Sequence, residues 1–315
     1  MSKAPVSVIY VASPEFLPYL REELNTAHHE VIGNLVFAAE AIPNVCFAQD
    51  IWWHPTIVQI RSISEAVSIL KRNGIFWYLH PVSHIRRSRL IEAQLRKHPP
   101  LSQNFPISQP LPKIGAFSLL DEHTLVYSHH RWKSWPDGIC QFIEDKVNPP
   151  NRAYLKLWEI LSLLENYPKP HDTVLDLGAS PGGWTYVMQT FGTQVTAVDK
   201  APLATSVAQL PSVHCLQQSA FALDPLLLKA PYDWVLSDIA CYPDRAYRLI
   251  KQWIDSGKAK RLIVTIKLQG EIQPNTLRSF QQIPNSDLFH LYHNKHEVTF
   301  IYPAPSRHLV PQTAP

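Results

Sequence analysis

The residues best suited to chemistry lie in the second half of the chain. An apolar stretch ends in VLDLG and runs through ASPGGW (Val174–Trp184) into a helical segment. This is the pattern of a first βα turn in a nucleotide-binding fold, where ligands sit outside the strand's carboxyl end. Gly178 suits a tight turn, Pro181 suits a first helical position, and Gly182 and Gly183 remove side chains where a ligand approaches. Asp199 closes the next strand, 21 residues after Gly178. A carboxylate there can accept both hydroxyls of a ribose. The glycine run is G-A-S-P-G-G, not G-x-G-x-x-G, so a pyrophosphate has poor access to the helix N-terminus while the smaller carboxylate of a methionine moiety fits. S-adenosylmethionine is therefore the expected cofactor. Its contacts are expected from Asp176, from the run Gly178, Ala179, Ser180, Pro181, Gly182, Gly183 and Trp184, and from Asp199.

Two further charges stand where a parallel sheet presents residues to a shared crevice. Asp238 and Lys267 each follow an apolar strand, Trp234–Ser237 and Arg261–Ile266. The elements that must position them alternate: helix 153–164, strand Thr173–Leu177, helix from Gly183, strand Gln194–Val198, strand Trp234–Ser237, helix Ala246–Ile254 and strand Arg261–Ile266. This alternation predicts a doubly wound α/β domain over residues 151–302, with Leu288–Tyr292 and Val298–Tyr302 at its far edge. The tail 303–315 is proline-rich.

The first 98 residues have a different texture. A strand (Val6–Val11), a helix (Glu15–Asn25), strands Val31–Phe37 and Ile57–Ile60, a helix Ser64–Arg72 and an apolar run Ile75–Leu79 fit a ferredoxin-like α+β unit. Residues 99–112, PPLSQNFPISQPLP, hold five prolines and no charge. They read as a linker. Residues 113–150 read as a connecting segment.

Composition sets limits on the function. With 315 residues, 45% hydrophobic, the chain can bury a large core. Lys+Arg 29 against Asp+Glu 26 gives a net charge of only +3, so bulk charge argues for no polyanionic partner. Local charge suits phosphate contacts, and equally a solvated helix face: between Arg61 and Lys97 eight basic residues face two acids, three of the eight in HIRRSR. Arg86, Arg87 and Arg89, and the cations Arg131 and Lys133 interleaved with Trp132 and Trp135, are the candidate RNA contacts. Tryptophans in such a setting more often close a small core than stack on bases. Four scattered cysteines without a C-x-x-C pair, and no apolar run of membrane length, suit a reduced, cytoplasmic protein. The start MSKAPVSVIYVAS reads as structure and not as a signal peptide. His293 and His296 at i, i+3 on a strand would face opposite sides, so no metal is expected.

Several motifs together resemble a known family. DLGASPGGWTYVM, DWVLSDIACYP, IVTIKLQG and LYHNKHEVTF, in this order and spacing, are similar to the FtsJ-like ribose 2′-O-methyltransferases. Within that family the likeness is greatest to the branch that methylates a cytidine ribose of bacterial large-subunit ribosomal RNA. Trp135–Ile139 and NRAYLKLWEI extend it, so that it covers about residues 132–302. The resemblance implies a Rossmann-like methyltransferase domain, with ribosomal RNA as the partner. It also implies a catalytic tetrad of Lys156, Asp238, Lys267 and Glu297, in which Lys267 activates the 2′-hydroxyl and Asp238 orients it. The resemblance adds Ser219 and Asp238 to the expected cofactor contacts. A ribose hydroxyl is a poor nucleophile while protonated, so a base beside it is required. A lysine, with an ordinary pKa of about 10.4, serves as that base only if its pKa falls; burial and a second ammonium favour this and two carboxylates oppose it.

The chain also departs from the family. Ser219 stands where the family carries an aspartate toward adenine, and IACYP replaces an acidic-lysine-proline pattern. The N-terminal region is shorter than the family's ferredoxin-like plus THUMP-like arrangement. Alternatives are a catalytically silent RNA-binding assembly factor, a transfer-RNA or mRNA-cap methyltransferase, or an NAD-linked oxidoreductase, which the glycine pattern disfavours.

Overall fold

The computed structural model describes residues 6–24, 29–42, 45–164, 166–268 and 274–305. Asn25, Gln269, Gly270 and the tail from residue 306 onward lie outside them. The described residues form two compact units. One runs to Gln103 and adds Ile107–Gln141; the other takes Asn104–Pro106 and continues from Phe142.

In the first unit the elements are β1 (Val8–Val11), α1 (Leu17–Glu23), β2 (His29–Ile32), β3 (Leu35–Ala38), β4 (Asp50–Trp53), β5 (Thr56–Gln59), α2 (Ile63–Asn73), β6 (Phe76–Leu79), α3 (Ile85–Glu92), β7 (Ile114–Leu119), β8 (Thr124–Ser128) and β9 (His130–Arg131). A single ferredoxin-like sheet is not what they build. The strands divide into an antiparallel sheet β2-β3-β1-β4-β9 and a second sheet β5-β8-β7-β6, in which β6 and β7 run parallel. The reason is local. Gly33-Asn34 breaks the expected strand Val31–Phe37 into the hairpin β2/β3, and the unforeseen strand β4 pairs with β1. β5 and β6 then find partners in residues 114–128, where β7 is buried throughout. Thus 113–150 is not merely connecting: its first part completes this unit's second sheet. α2 forms where expected because Ser62 accepts from the Glu65 amide at 3.1 Å while Glu65 reaches back to the Arg61 amide at 2.7 Å. Its buried Ala66, Val67 and Leu70 pack with Ile91, Trp77, Phe117 and Leu125.

The second unit contains α4 (Tyr154–Ser162), β10 (Thr173–Leu177), α5 (Gly183–Gln189), β11 (Gln194–Asp199), α6 (Thr205–Ala208), β12 (Val213–Gln217), β13 (Trp234–Ser237), α7 (Pro243–Asp255), β14 (Leu262–Lys267), α8 (Pro274–Gln281), β15 (Asp287–Phe289) and β16 (Glu297–Tyr302). Its sheet has the order β12-β11-β10-β13-β14-β16-β15. β12 to β14 are parallel, and β16 enters antiparallel between β14 and β15. β10 is thus the point from which the strand order runs both ways, and the crevice for a ligand opens at the carboxyl ends of β10, β11 and β13. The proline-rich stretch is tied to the second unit by Phe105, which stacks on Trp158 at 4.9 Å and meets Phe142, Tyr167 and Phe191 edge-on, while Leu101 is buried and its carbonyl accepts from Trp135 Nε1 at 3.1 Å.

Candidate active site

A cavity of about 390 Å³ lies at that crevice. Gly178, Ser180, Asp199, Lys200, Ser219, Ala220, Phe221, Asp238, Ile239, Ala240 and Arg245 line it. Five of these, Gly178, Ser180, Asp199, Ser219 and Asp238, were expected from the sequence.

Gly178 has φ +77°, and a Cβ there would stand 2.3 Å from Ile239 Cγ1. The turn after β10 therefore requires glycine twice over, for its left-handed backbone and for the approach of the β13 loop. Asp199 is anchored from below: its two carboxylate oxygens accept from the Ser180 and Ala201 amides, both at 2.9 Å. Each oxygen keeps a lone pair for a ligand.

The remaining loop residues sit elsewhere. Pro181 precedes the helix instead of opening it, because α5 is capped by Gly182 and begins at Gly183. A Cβ on Gly182 would press on Val207 at 3.0 Å, and one on Gly183 would strike Asn151 Oδ1 at 2.2 Å, so both glycines make room for the chain's own packing. Trp184 is buried and donates to the Ala153 carbonyl at 2.9 Å. Gly183 and Trp184 thus seat α4 against α5. Ala179 is buried as well. Asp176 is buried inside β10 and accepts from Thr185 Oγ1 at 2.6 Å. Burial pushes its carboxyl up to about 7, against the pull of the Thr185 hydrogen bond.

Next to the cavity four charged side chains meet. Lys156 on α4 reaches Asp238 at 3.1 Å and Glu297 at 2.6 Å. Lys267, the last residue of β14, lies 2.5 Å from Asp238 and pairs with Glu297, its register partner on β16. Thr265 donates to Asp238 at 2.6 Å, and Asn294 donates to Glu297 at 3.2 Å. Burial alone would raise the Asp238 carboxyl, but Lys156 and Lys267 outweigh it and hold it below the ordinary aspartate value. Burial likewise works to lower Lys267, yet Asp238 and Glu297 prevail and its pKa is raised. The competition left open by the sequence is decided for the carboxylates.

Sequence reasoning missed other participants. Phe221 and Arg245 form a cation-π pair at 3.6 Å in the cavity wall. Glu159, fully buried on α4, accepts from the Tyr292 and His293 amides and from His293 Nδ1 at 2.8–2.9 Å. A charged residue on the apolar face of a helix, three positions after Lys156, was its signal.

The candidate RNA contacts separate into two groups. Arg86 and Arg89 are exposed on α3, Arg87 is half-buried, and Arg89 pairs with Glu92 at 2.7 Å. Arg131 and Lys133 do not face solvent. The Arg131 guanidinium pairs with buried Asp50 at 2.8 Å, donates to the Ile114 and Trp135 carbonyls and lies 4.6 Å over the Tyr78 ring. Lys133 is buried, with its ammonium 5.0 Å from the Trp132 ring centroid. These cations close a core. Among the described residues no group of three potential ligands could hold a metal, and no helix is long and apolar enough to cross a membrane.

Residues 149–289 match the family model of the FtsJ-like methyltransferases. Among curated proteins, the chain is 34% identical over 175 residues to ribosomal RNA large subunit methyltransferase M of Halorhodospira halophila, covering 53% of this chain and 50% of that protein. It is 31% identical over 187 residues to the protein of the same name from Azoarcus sp., covering 54% and 50%. The chain spans about half the length of the curated relatives it matches. Among solved structures, fibrillarin of Aeropyrum pernix, with bound S-adenosyl-L-methionine, aligns at a TM-score of 0.36 and 16% identity over 59% of this chain and 81% of that one.

Proposed function

We propose that this protein is an S-adenosylmethionine-dependent ribose 2′-O-methyltransferase of structured RNA, with a cytidine of large-subunit ribosomal RNA as its target and the cytoplasm as its place of action. The carrying observation is the convergence of Lys156, Asp238, Lys267 and Glu297 beside a cavity that opens at the strand ends. The FtsJ-like match over 149–289 and the relatives named for ribosomal RNA methylation support it.

The cavity suits the cofactor by the chemistry of its wall. Asp199 presents carboxylate oxygens to a ribose diol, Ser219 offers a hydroxyl near a base, and the Asp238 carboxylate balances a cationic centre. When bound, the cofactor supplies an electrophilic methyl group on a sulfonium. The chain's own residues supply alignment and proton handling. Asp238, held ionised, is a weak base and serves as an acceptor that orients the hydroxyl. Lys267 is the group basic enough to take the hydroxyl proton, but its two carboxylate partners keep it an ammonium at rest. That proton must first pass to solvent, so that the free amine can take the hydroxyl proton and return to an ammonium. Lys156 and Glu297 hold the geometry and keep the cluster's charge near neutral, and Thr265 and Asn294 fix the two carboxylates. Exposed Arg86 and Arg89 on α3 are the proposed phosphate contacts of the N-terminal unit.

The test is incubation of the purified chain with unmodified large-subunit ribosomal RNA and labelled S-adenosylmethionine, followed by mass spectrometry of the digested nucleosides. A ribose-methylated cytidine is expected. Label on a base would overturn the reaction class, and absence of transfer would leave a silent RNA-binding factor.

A further inference from the structure

The segment that departs from the family pattern, IACYP, leaves an aromatic side chain in solvent at the cavity's edge. Ala240 and Arg245 both line the cavity, and Tyr242 between them is 70% exposed. Tyr242 is the N-cap residue of α7, but no side-chain bond makes the cap. Its ring joins no aromatic contact among the described residues. Packing therefore does not account for a tyrosine here. Two cations adjoin it along α7. The Arg245 guanidinium is held 3.6 Å over the Phe221 ring, and Arg248, one turn on, is exposed and in no ion pair among the described residues. Lys251 does not extend the track, since it pairs with Asp255 at 2.9 Å. Asp244 adds one acid to the same rim.

We propose that Tyr242 is a stacking platform for the base next to the target nucleotide of a single-stranded RNA segment, with Arg245 and Arg248 taking the adjoining phosphates. The proposal rests on the methyltransferase reading and names how that site grips its substrate. Asp238, Ile239 and Ala240 line the cavity and lead directly into Tyr242, so a strand that delivers a ribose hydroxyl to Asp238 passes this edge. A base in a duplex offers no free face, whereas an unstacked base finds one on an exposed ring. Arg245 is already ordered by Phe221 and loses little freedom on meeting a phosphate. Residues 245 and 248 share a helix face, which places the two cations side by side.

Filter binding of radiolabelled, unmodified large-subunit ribosomal RNA transcript to the full chain with S-adenosylhomocysteine present tests this. Tyr242→Ala is expected to weaken binding about tenfold, and Tyr242→Trp to stay within about twofold of wild type. Arg248→Ala should weaken binding and flatten the slope of log affinity against log salt by roughly 0.7. Calorimetric affinity for S-adenosylhomocysteine, unchanged in all three variants, shows that they are folded. Wild-type RNA affinity in Tyr242→Ala overturns the proposal, as does an equal loss in Tyr242→Trp. Wild-type protein that binds RNA but transfers no methyl group defeats the reaction reading, while the binding comparison still decides the platform.

Discussion

Lys267 and Glu297 are register partners across the antiparallel pair β14/β16, and their side chains close an ion pair beside Asp238. The sheet itself, not a loop, sets this distance, and β13 on the other flank of β14 delivers Asp238. Strands thus hold Lys267 and Glu297, Asp238 follows directly on the end of β13, and α4 brings Lys156.

Lys267 rests as an ammonium because its carboxylate neighbours raise its pKa against the effect of burial. If the amine takes the hydroxyl proton, only the minor deprotonated form reacts. The rate of methyl transfer at saturating substrates should then rise about tenfold per pH unit from pH 6 to 9. A flat profile would assign Lys267 to charge stabilisation alone.

Glu159 ties α4, and so Lys156, to the loop that carries Asn294 and leads into Glu297 at the start of β16. Glu159→Gln keeps the shape but replaces a buried acceptor with a partial donor. It should cost about 1–3 kcal/mol in urea unfolding and lower kcat more than it raises KM. Unaltered stability and turnover would remove Glu159 from the account.

Asp176 gives a pH signature to folding. Its folded pKa of about 7, raised by burial, exceeds the ordinary unfolded value of about 3.9, so the folded chain holds a proton that the unfolded chain has lost. Its contribution is present at low pH and declines as pH rises from about 4 through 7. Asp176→Asn should flatten this decline, by an amount on the order of 1–4 kcal/mol between pH 4 and 8. An identical pH dependence in the variant would contradict it.

The arginines expected to touch RNA should divide by burial. Arg131→Ala strands buried Asp50 without its partner and should cost about 3–5 kcal/mol of stability. Charge reversal at Arg86 and Arg89 should leave unfolding within about 0.5 kcal/mol of wild type yet weaken RNA binding and its salt dependence. The reverse pattern would mean that the two groups had been exchanged.

That division shows where the sequence was legible. Strand ends in a parallel sheet have a fixed direction, so the order of the apolar strands alone aims Asp199, Asp238 and Lys267 at one crevice. The loop after β10 was legible in its turn but not in its contacts, because the partners that exclude a Cβ, Val207 and Asn151, are distant in the chain. Arg131 among tryptophans looks the same whether it meets a base or the Tyr78 ring. Short strands hid the N-terminal unit: β2 and β3 merge into one apolar run unless the Gly33-Asn34 turn is read, and β4 consists of two bulky aromatics after an acid and an isoleucine. Phe221 and Arg245 become a pair only when α7 folds back toward the end of β12.

The most direct test of the central claim is single-turnover methyl transfer to unmodified large-subunit ribosomal RNA by wild type and Lys267→Ala, with S-adenosylmethionine affinity measured on both. Wild type should form a 2′-O-methylated nucleoside, and Lys267→Ala should bind the cofactor normally yet lose at least about 10²–10³ in rate. Full turnover by Lys267→Ala would contradict the account.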